Sequence, residues 1–189
     1  MLNLLIIIIL SVNLVSASMV EKSFIYDDVK RSYLEFIPSN HNSKAPINLV
    51  IGLHGYSGSA SGFEKETTGM FNKSAEKYEF IAIYPQGEYF YNDANKDYSF
   101  ISSWNAFPNK KPNKEFCSLD AVIYPKYPNC ENSNRCSWTS CSDDLGFVKK
   151  IIDISKENYL IDKVFVIGIS NGGMMAQALA CKYPNIFSG

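Results

Sequence analysis

A serine flanked by glycines lies near the end of the 189-residue sequence, in the letters GISNG of residues 168–172. It follows the apolar run Val164–Ile169 and precedes a helical pattern that starts at about Asn171. Gly-x-Ser-x-Gly between a buried strand and a helix is typical of a nucleophile elbow, a strained turn that exposes the serine Oγ. A phosphate-binding turn is the alternative, but no Lys-Ser or Lys-Thr pair follows as in a P-loop. The pattern predicts Ser170 as a nucleophile, with Gly168 and Gly172 as the elbow glycines that leave room for close packing.

A second polar segment, His54-Gly55-Tyr56, directly follows the apolar run Ile47–Leu53. Acyl transfer at a serine needs backbone N–H groups that bind the oxyanion of the tetrahedral intermediate. Asn171, directly after the serine, is one expected donor, and Tyr56 in this loop is the other. We expect His54 and Gly55 to shape the oxyanion loop, although His54 as the general base is the alternative.

Other residues that could do chemistry have simpler interpretations. His41, the second of the two histidines, lies in a polar loop and is expected to be solvated. Asp143 and Asp144 could form a catalytic carboxylate pair. Together with Ser142 they more simply open a helix, where a side-chain oxygen caps the first N–H groups and negative charge suits the helix dipole.

The elements that must position these residues alternate along the chain. Short alternating runs on either side of Asp27-Asp28 predict a hairpin. Continuous apolar runs predict strands buried on both faces, and helical spacing predicts the segments between them. The predicted strands are Ser23–Tyr26, Arg31–Ile37, Ile47–Leu53, Phe80–Pro85 and Val164–Ile169, and the predicted helices are Gly62–Tyr78, Asp143–Asn158 and Asn171–Tyr183. This order predicts an α/β fold with a mainly parallel sheet and an N-terminal antiparallel hairpin.

The first 18 residues have the pattern of a secretory signal peptide. Leu4–Leu10 is an apolar run, and small residues at Ser16 and Ala17 suit a cleavage site. A membrane anchor is the alternative, but Asn13 interrupts the run and a span needs about 20 apolar residues. We therefore expect a secreted, extracellular protein with no stable membrane insertion, in which residues 19–189 form the α/β domain. The net charge of -1 gives no reason to expect a nucleic-acid partner.

Residues 88–141 form a cysteine-rich excursion in which the strand and helix pattern is lost. Its four cysteines are Cys117, Cys130, Cys136 and Cys141. In a secreted chain they are expected to form two disulfides rather than a metal site, since neither histidine is near. Three pairings are open, and Cys117–Cys130 with Cys136–Cys141 is the one we favour. Cys181 is left over, as either a buried thiol or the partner of a cysteine outside this chain.

Two further features of the sequence bear on its surface. The excursion also holds seven aromatic residues between Glu88 and Phe107, Trp104 among them. They either bind a sugar or an aryl ester or pack the loop onto the sheet, and we expect packing for most. Asn72-Lys73-Ser74 is a sequon that can accept N-glycosylation.

The order of these segments resembles the secreted α/β-hydrolase esterases of the polyhydroxybutyrate depolymerase and feruloyl esterase group. The resemblance rests on RSYLEFIP, GLHGYSGSASGF, IAIYPQG, SSWNAF, DDLGFVKKII and GISNGGMMAQALACKYPNIFSG. It implies hydrolysis of carboxylic esters without a cofactor or metal, on a substrate that could be polymeric or derived from the plant cell wall. It also implies Ser170 as nucleophile, with Asn171 and the His54-Gly55-Tyr56 loop at the oxyanion.

In that group the triad acid and histidine lie on strands after the elbow, and this sequence ends before either. The expectation is therefore a truncated chain that is inactive, or nearly so, on its own. Two other functions stay open at this point. One is a serine peptidase of the prolyl oligopeptidase type, which also has a Ser-Asn-Gly-Gly elbow, and the other is a non-catalytic secreted binding protein.

Overall fold

The computed structural model describes residues 17–92, 99–106 and 142–189. Within them it has seven strands and four helices. The strands are β1 Ser18–Tyr26, β2 Val29–Ile37, β3 Ile47–Leu53, β4 Phe80–Pro85, β5 Glu88–Asn92, β6 Ser99–Ser103 and β7 Ile161–Gly168. The helices are α1 Ala60–Glu66, α2 Met70–Tyr78, α3 Asp144–Asn158 and α4 Asn171–Lys182.

Five strands form one mixed sheet in the order β1-β2-β4-β3-β7. β1 and β2 form the predicted antiparallel hairpin, and their turn residues Asp27 and Asp28 have φ of 51° and 61°. Two left-handed residues in a row suit the tight hairpin turns that match strand twist. β2 pairs with β4 antiparallel, whereas β3 pairs in parallel with both β4 and β7. The predicted α/β architecture is therefore confirmed.

The sheet is covered on both faces, which explains the continuous apolar runs of its inner strands. Successive side chains of a strand point to opposite faces. In β4, Ile81 and Ile83 join the larger core cluster, which contains the buried face of α3 and part of α4. Ala82 and Tyr84 join the smaller cluster, with residues of α1 and α2.

One segment predicted as a single helix is two helices in the structure. The segment Gly62–Tyr78 is split into α1 and α2, and Met70 is exposed rather than part of the buried stripe. Thr68 and Gly69 between them have φ of 54° and 68°, a left-handed conformation that ends a helix. The predicted helix at Asp143–Asn158 is confirmed, since its apolar stripe is buried.

The described part of the excursion at 88–141 contains regular structure, contrary to the prediction. β5 and β6 pair with each other as a separate antiparallel two-stranded sheet. The four cysteines of the excursion lie outside the described residues. Among the helices that the structure describes, none has the length and apolar character needed to cross a membrane.

β7 lies at one end of the five-stranded sheet, and its outer edge is not left wholly unpaired. Val164 forms a parallel bridge with Phe187. The N–H of Ser188 donates to the carbonyl of Val164 at 2.8 Å, and the N–H of Val166 donates to the carbonyl of Gly189 at 3.0 Å. The segment after α4 therefore pairs with the first part of this edge.

Candidate active site

Ser170 sits in a strained turn between β7 and α4. Its φ is 52° and its ψ is -118°, and its side chain is exposed. This combination is unfavourable for any residue with a Cβ and persists only where the surrounding structure imposes it. The turn thus has the backbone strain and the exposed hydroxyl of a nucleophile elbow.

The glycines on either side of Ser170 are required by close packing. A Cβ at Gly168 would overlap the carbonyl of Gly172. A Cβ at Gly172 would overlap the carbonyl oxygens of Leu53 and His54, at the end of β3. Strand, turn and helix can approach this closely only because neither position has a side chain.

The loop after β3 lies directly against the elbow. The N–H of Ile169 donates to the carbonyl of Leu53 at 3.1 Å. A Cβ at Gly55 would stand 3.5 Å from the Cβ of Ser170. The structure therefore brings together the two segments on which the sequence places a nucleophile and an oxyanion loop, although they are more than a hundred residues apart.

His54 is fully buried, and both of its ring nitrogens have partners. Nδ1 lies 2.7 Å from the carbonyl oxygen of Gly55, and Nε2 accepts from the N–H of Gly87 at 3.0 Å. An acceptor at Nε2 means that the proton is on Nδ1, where it is donated to Gly55. Burial lowers the pKa of His54, more than the hydrogen bond to Gly55 and the charge of Asp144 raise it. His54 is thus a neutral side chain with no nitrogen left to accept the Ser170 proton.

The carbonyl of Gly55 fixes the direction of the next N–H group. It accepts from His54 Nδ1 and also from the N–H of Gly58, at 3.0 Å. In a trans peptide the C=O and N–H point in opposite directions. With its C=O held on the side of His54, the Gly55–Tyr56 peptide directs the Tyr56 N–H away from these partners.

His41 is at the opposite end of the sheet and is not simply solvated, contrary to the expectation. It lies in the loop before β3, whereas Ser170 lies after β7. Its ring packs edge-on against Tyr159 with centroids 5.6 Å apart. Its Nε2 is buried without a hydrogen-bond partner. Neither histidine of the sequence is therefore placed to activate Ser170.

The aspartate pair at the start of α3 is engaged in structural contacts. Asp143 accepts from the N–H of Gly146 at 3.0 Å, as an N-cap, and from the hydroxyl of Tyr26 at 2.8 Å. Asp144 is buried and pairs with Arg31, with 2.5 Å between its Oδ1 and an Arg31 nitrogen. Both carboxylates therefore stabilise the entry of α3.

Trp104 contacts both halves of the candidate site, a role that its position in the sequence did not indicate. The indole N–H of Trp104 donates to the carbonyl of His54 at 2.8 Å. The backbone N–H of Trp104 donates to the side-chain Oδ1 of Asn171, also at 2.8 Å. The signal available in the sequence was the segment SSWNAF, whose first two residues are the last of β6.

Two remaining predicted residues have defined surroundings. Cys181 is exposed on α4 with a free thiol, so the first of the two alternatives, a buried thiol, is wrong, and pairing with a cysteine outside this chain stays a prediction. The side chain of Asn72 accepts from the hydroxyl of Tyr84 at 2.5 Å and donates to Glu64 at 3.3 Å. The sequon amide is thus turned toward the core, and N-glycosylation at Asn72 stays a prediction.

Comparisons with known proteins identify similar esterases, although no protein-family model matches the sequence. The chain is 34% identical over 77 residues to poly(3-hydroxyalkanoate) depolymerase C of Paucimonas lemoignei, covering 36% of this chain and 19% of that protein. It is 28% identical over 155 residues to a probable acetylxylan esterase A of Aspergillus fumigatus, covering 81% of this chain and 31% of the relative. Feruloyl esterase B of Neurospora crassa is 37% identical over 73 residues, covering 35% of this chain and 25% of the relative. The chain thus spans a third or less of the length of these relatives.

Solved structures of esterases share the fold. An acetyl xylan esterase from Aspergillus awamori superposes with a TM-score of 0.56 at 20% identity, covering 90% of this chain and 50% of that one. An S-formylglutathione hydrolase from Agrobacterium tumefaciens superposes with a TM-score of 0.58 at 14% identity, covering 92% and 56%. The predicted α/β-hydrolase fold and the predicted resemblance to this esterase group are both confirmed.

Proposed function

We propose that this protein is a serine carboxylic-ester hydrolase with Ser170 as its nucleophile. The observation that carries the proposal is the strained, exposed backbone of Ser170 beside the loop at Gly55 and Tyr56. An ordinary strand-to-helix turn does not need a non-glycine residue in this conformation. The similarity to acetylxylan, feruloyl and hydroxyalkanoate esterases supports the same activity.

The proposed reaction passes through an acyl-enzyme. The Oγ of Ser170 attacks the ester carbonyl carbon, and the carbonyl oxygen takes the negative charge. The N–H groups of Asn171 and Tyr56 bind this oxyanion. The intermediate then expels the alcohol, and water hydrolyses the acyl-Ser170 ester, returning the proton to the serine. A general base must accept the Oγ proton and pass it to the leaving alkoxide.

The base is the part of the mechanism that the two histidines do not supply. His54 has both nitrogens engaged, and His41 lies at the far end of the sheet. We propose that a histidine and its acid partner outside these 189 residues complete the site. Without them, only the residual rate from the oxyanion donors and substrate binding remains, about 10³–10⁴ over water in known serine hydrolases.

The substrate is proposed at the level of a carboxylic ester. The relatives' names cover acetylxylan, feruloyl and poly(3-hydroxyalkanoate) esters, which share only the ester group. We further propose that residues 1–18 are removed as a signal peptide and that the enzyme acts outside the cell, where polymeric esters are found.

Turnover of p-nitrophenyl acetate tests the proposal, with methyl ferulate and a 3-hydroxybutyrate oligomer as further substrates. In a form of the protein that contains the general base, Ser170→Ala is expected to lower turnover to the residual rate that the oxyanion donors and substrate binding supply. Ser188→Ala, a matched change at an exposed serine, is expected to leave it unchanged. Equal turnover by the wild type and Ser170→Ala in that form would contradict the proposed function. The 189-residue chain and the longest form of the protein found in its natural source are both assayed. This comparison separates residual activity from full activity.

A further inference from the structure

The end of the β5–β6 sheet packs between the two parts of the candidate active site. This segment, Ser102, Ser103 and Trp104, is buried throughout. It is far from the elbow in sequence, and nothing in the elbow motif or the oxyanion loop requires it.

On one side the segment holds the oxyanion loop. The N–H of Ser57 donates to the carbonyl of Ser102 at 2.8 Å, and the Ser102 hydroxyl donates to the carbonyl of Gly58. The indole N–H of Trp104 donates to the carbonyl of His54 at 2.8 Å. The Trp104 ring also packs on the His54 ring with centroids 4.8 Å apart. The loop is therefore held at its start and just after Tyr56.

On the other side the segment holds the first residue of α4. The Oδ1 of Asn171 accepts from the backbone N–H of Trp104 at 2.8 Å and from the Ser103 hydroxyl at 3.0 Å. Its Nδ2 donates to the carbonyl of Trp104 at 3.4 Å. One side-chain amide thus pairs with both backbone groups of Trp104, and the Asn171 backbone is fixed relative to that residue.

We propose that Trp104 is a positioning residue of the acyl-transfer site, which sets the spacing between the backbone N–H groups of Tyr56 and Asn171. This inference rests on the proposed esterase function, because these N–H groups are the proposed oxyanion donors. In this role Trp104 acts through its hydrogen bonds to His54 and Asn171.

The effect on the reaction follows from the need for preorganised donors. Removing one oxyanion donor costs about 10²–10³ in rate, and a misplacement of about 1 Å can cost about 10². A shift in spacing weakens binding of the tetrahedral state more than binding of the ester, because only the former has a charged oxygen between the donors.

The test compares Trp104→Phe with Asn171→Ala and the double variant. Trp104→Phe keeps an aromatic ring against His54 and removes the indole N–H, and Asn171→Ala keeps the backbone N–H and removes the amide. Tyr159→Phe is the matched control, since it removes one hydrogen bond, from the Tyr159 hydroxyl to Glu35, at the other end of the sheet.

Two quantities are measured for each variant. The first is the pair kcat and KM for p-nitrophenyl acetate. The second is the Kd for phenylboronic acid, whose boron bonds to the Ser170 Oγ to give a four-coordinate boronate anion, while the serine proton passes to water. One boronate oxygen then occupies the oxyanion position.

Trp104→Phe and Asn171→Ala are each expected to lower kcat and to raise the boronate Kd by roughly tenfold to a hundredfold, with KM within twofold of wild type. In the double variant the fold-loss in kcat and in boronate affinity is expected to be smaller than the product of the two single-variant losses, because both changes break the same link between the loop and α4. Tyr159→Phe is expected to lower the urea midpoint and leave kcat and the boronate Kd unchanged.

Two different failures can be told apart. Wild-type Kd and kcat in both variants would overturn this inference while leaving the esterase intact. Failure of the wild-type protein to bind the boronate through Ser170 would overturn the proposed function and this inference with it. If Trp104→Phe does not fold, Asn171→Ala alone decides between these outcomes.

Discussion

Ser170 combines the nucleophile's exposure with a backbone conformation that costs stability. Strain of this kind is worth about 1–3 kcal/mol, and glycine adopts the same φ and ψ without it. Glycine in turn costs roughly 0.5–1 kcal/mol in chain entropy. Ser170→Gly is therefore expected to raise the free energy of unfolding by about 1 kcal/mol in urea titrations. Ser170→Ala also loses the hydroxyl but keeps the Cβ, so a comparable gain in Ser170→Ala would contradict this account.

The lowered pKa of His54 predicts how the free energy of unfolding depends on pH. Its folded pKa lies below the ordinary value of 6.5, because burial disfavours the imidazolium. The unfolded chain therefore binds a proton at His54 that the folded chain does not. The free energy of unfolding has its full contribution from neutral His54 above about pH 6.5 and decreases as the pH falls below that value. The slope from one such group is at most about 1.4 kcal/mol per pH unit.

The variant His54→Asn isolates this contribution. Asparagine retains a donor near the Nδ1 position and does not titrate. Urea unfolding at pH 7.5 and pH 5.5 is expected to show a smaller loss of stability on acidification in His54→Asn than in the wild type. Equal losses in both proteins would show that His54 does not titrate on unfolding.

At the scale of elements, Arg31 of β2 joins the hairpin to α3 and to the β5–β6 sheet. Its guanidinium is buried, pairs with Asp144 at 2.5 Å and lies 3.6 Å from Glu88. It also stacks 4.0 Å above the ring of Phe147. Removing one partner of a buried ion pair leaves an uncompensated charge and costs about 3–5 kcal/mol.

Arg31→Met is accordingly expected to lower the free energy of unfolding by about 3–5 kcal/mol. Lys149→Met breaks a half-exposed pair with Asp153 on α3 and is expected to cost less than about 0.5 kcal/mol. Urea titrations of both variants measure the difference. Similar losses in the two would mean that the buried network contributes no more than a surface pair.

The same elements show what sequence patterns could predict. β3 and β4 were predictable because burial on both faces makes their apolar runs continuous, and β7 has such a run although only its Val164 is buried. The break between α1 and α2 was not, since it depends on left-handed backbone at Thr68 and Gly69. β5 and β6 pair only with each other in the described structure, so no such run marks them.

The candidate site also has parts that the sequence predicts and parts that it does not. Its elbow and oxyanion loop are local motifs, readable from strand, turn and helix signals around Ser170 and His54. The contact of Trp104 with Asn171 joins residues 67 positions apart. It depends on a side-chain amide meeting a backbone N–H and C=O in three dimensions, which no spacing along the chain encodes.

At the scale of the whole molecule, the two end strands of the five-stranded sheet differ in how well charged residues protect them from association with another chain. β1 has the charged residues Glu21 and Lys22 within it. On β7 the exposed charges lie at its start, whereas Ile167 and the following Ile169 are exposed near its end. Among the described residues, the segment 187–189 pairs only with the part of β7 before Ile167. Unpaired, apolar strand edges favour association between chains, and a net charge near zero opposes it little.

Ile167→Glu is therefore expected to reduce concentration-dependent association of the 189-residue protein, measured by light scattering between about 10 and 200 μM. Ile25→Glu, on β1, makes the same change in net charge at an exposed isoleucine of the other end strand. It is expected to leave association nearly as in the wild type, because β1 is already interrupted by charge. If both variants reduce scattering equally, net charge rather than the β7 edge governs association. If only Ile167→Glu does, the surface beside the elbow strand is where this chain accepts another polypeptide segment.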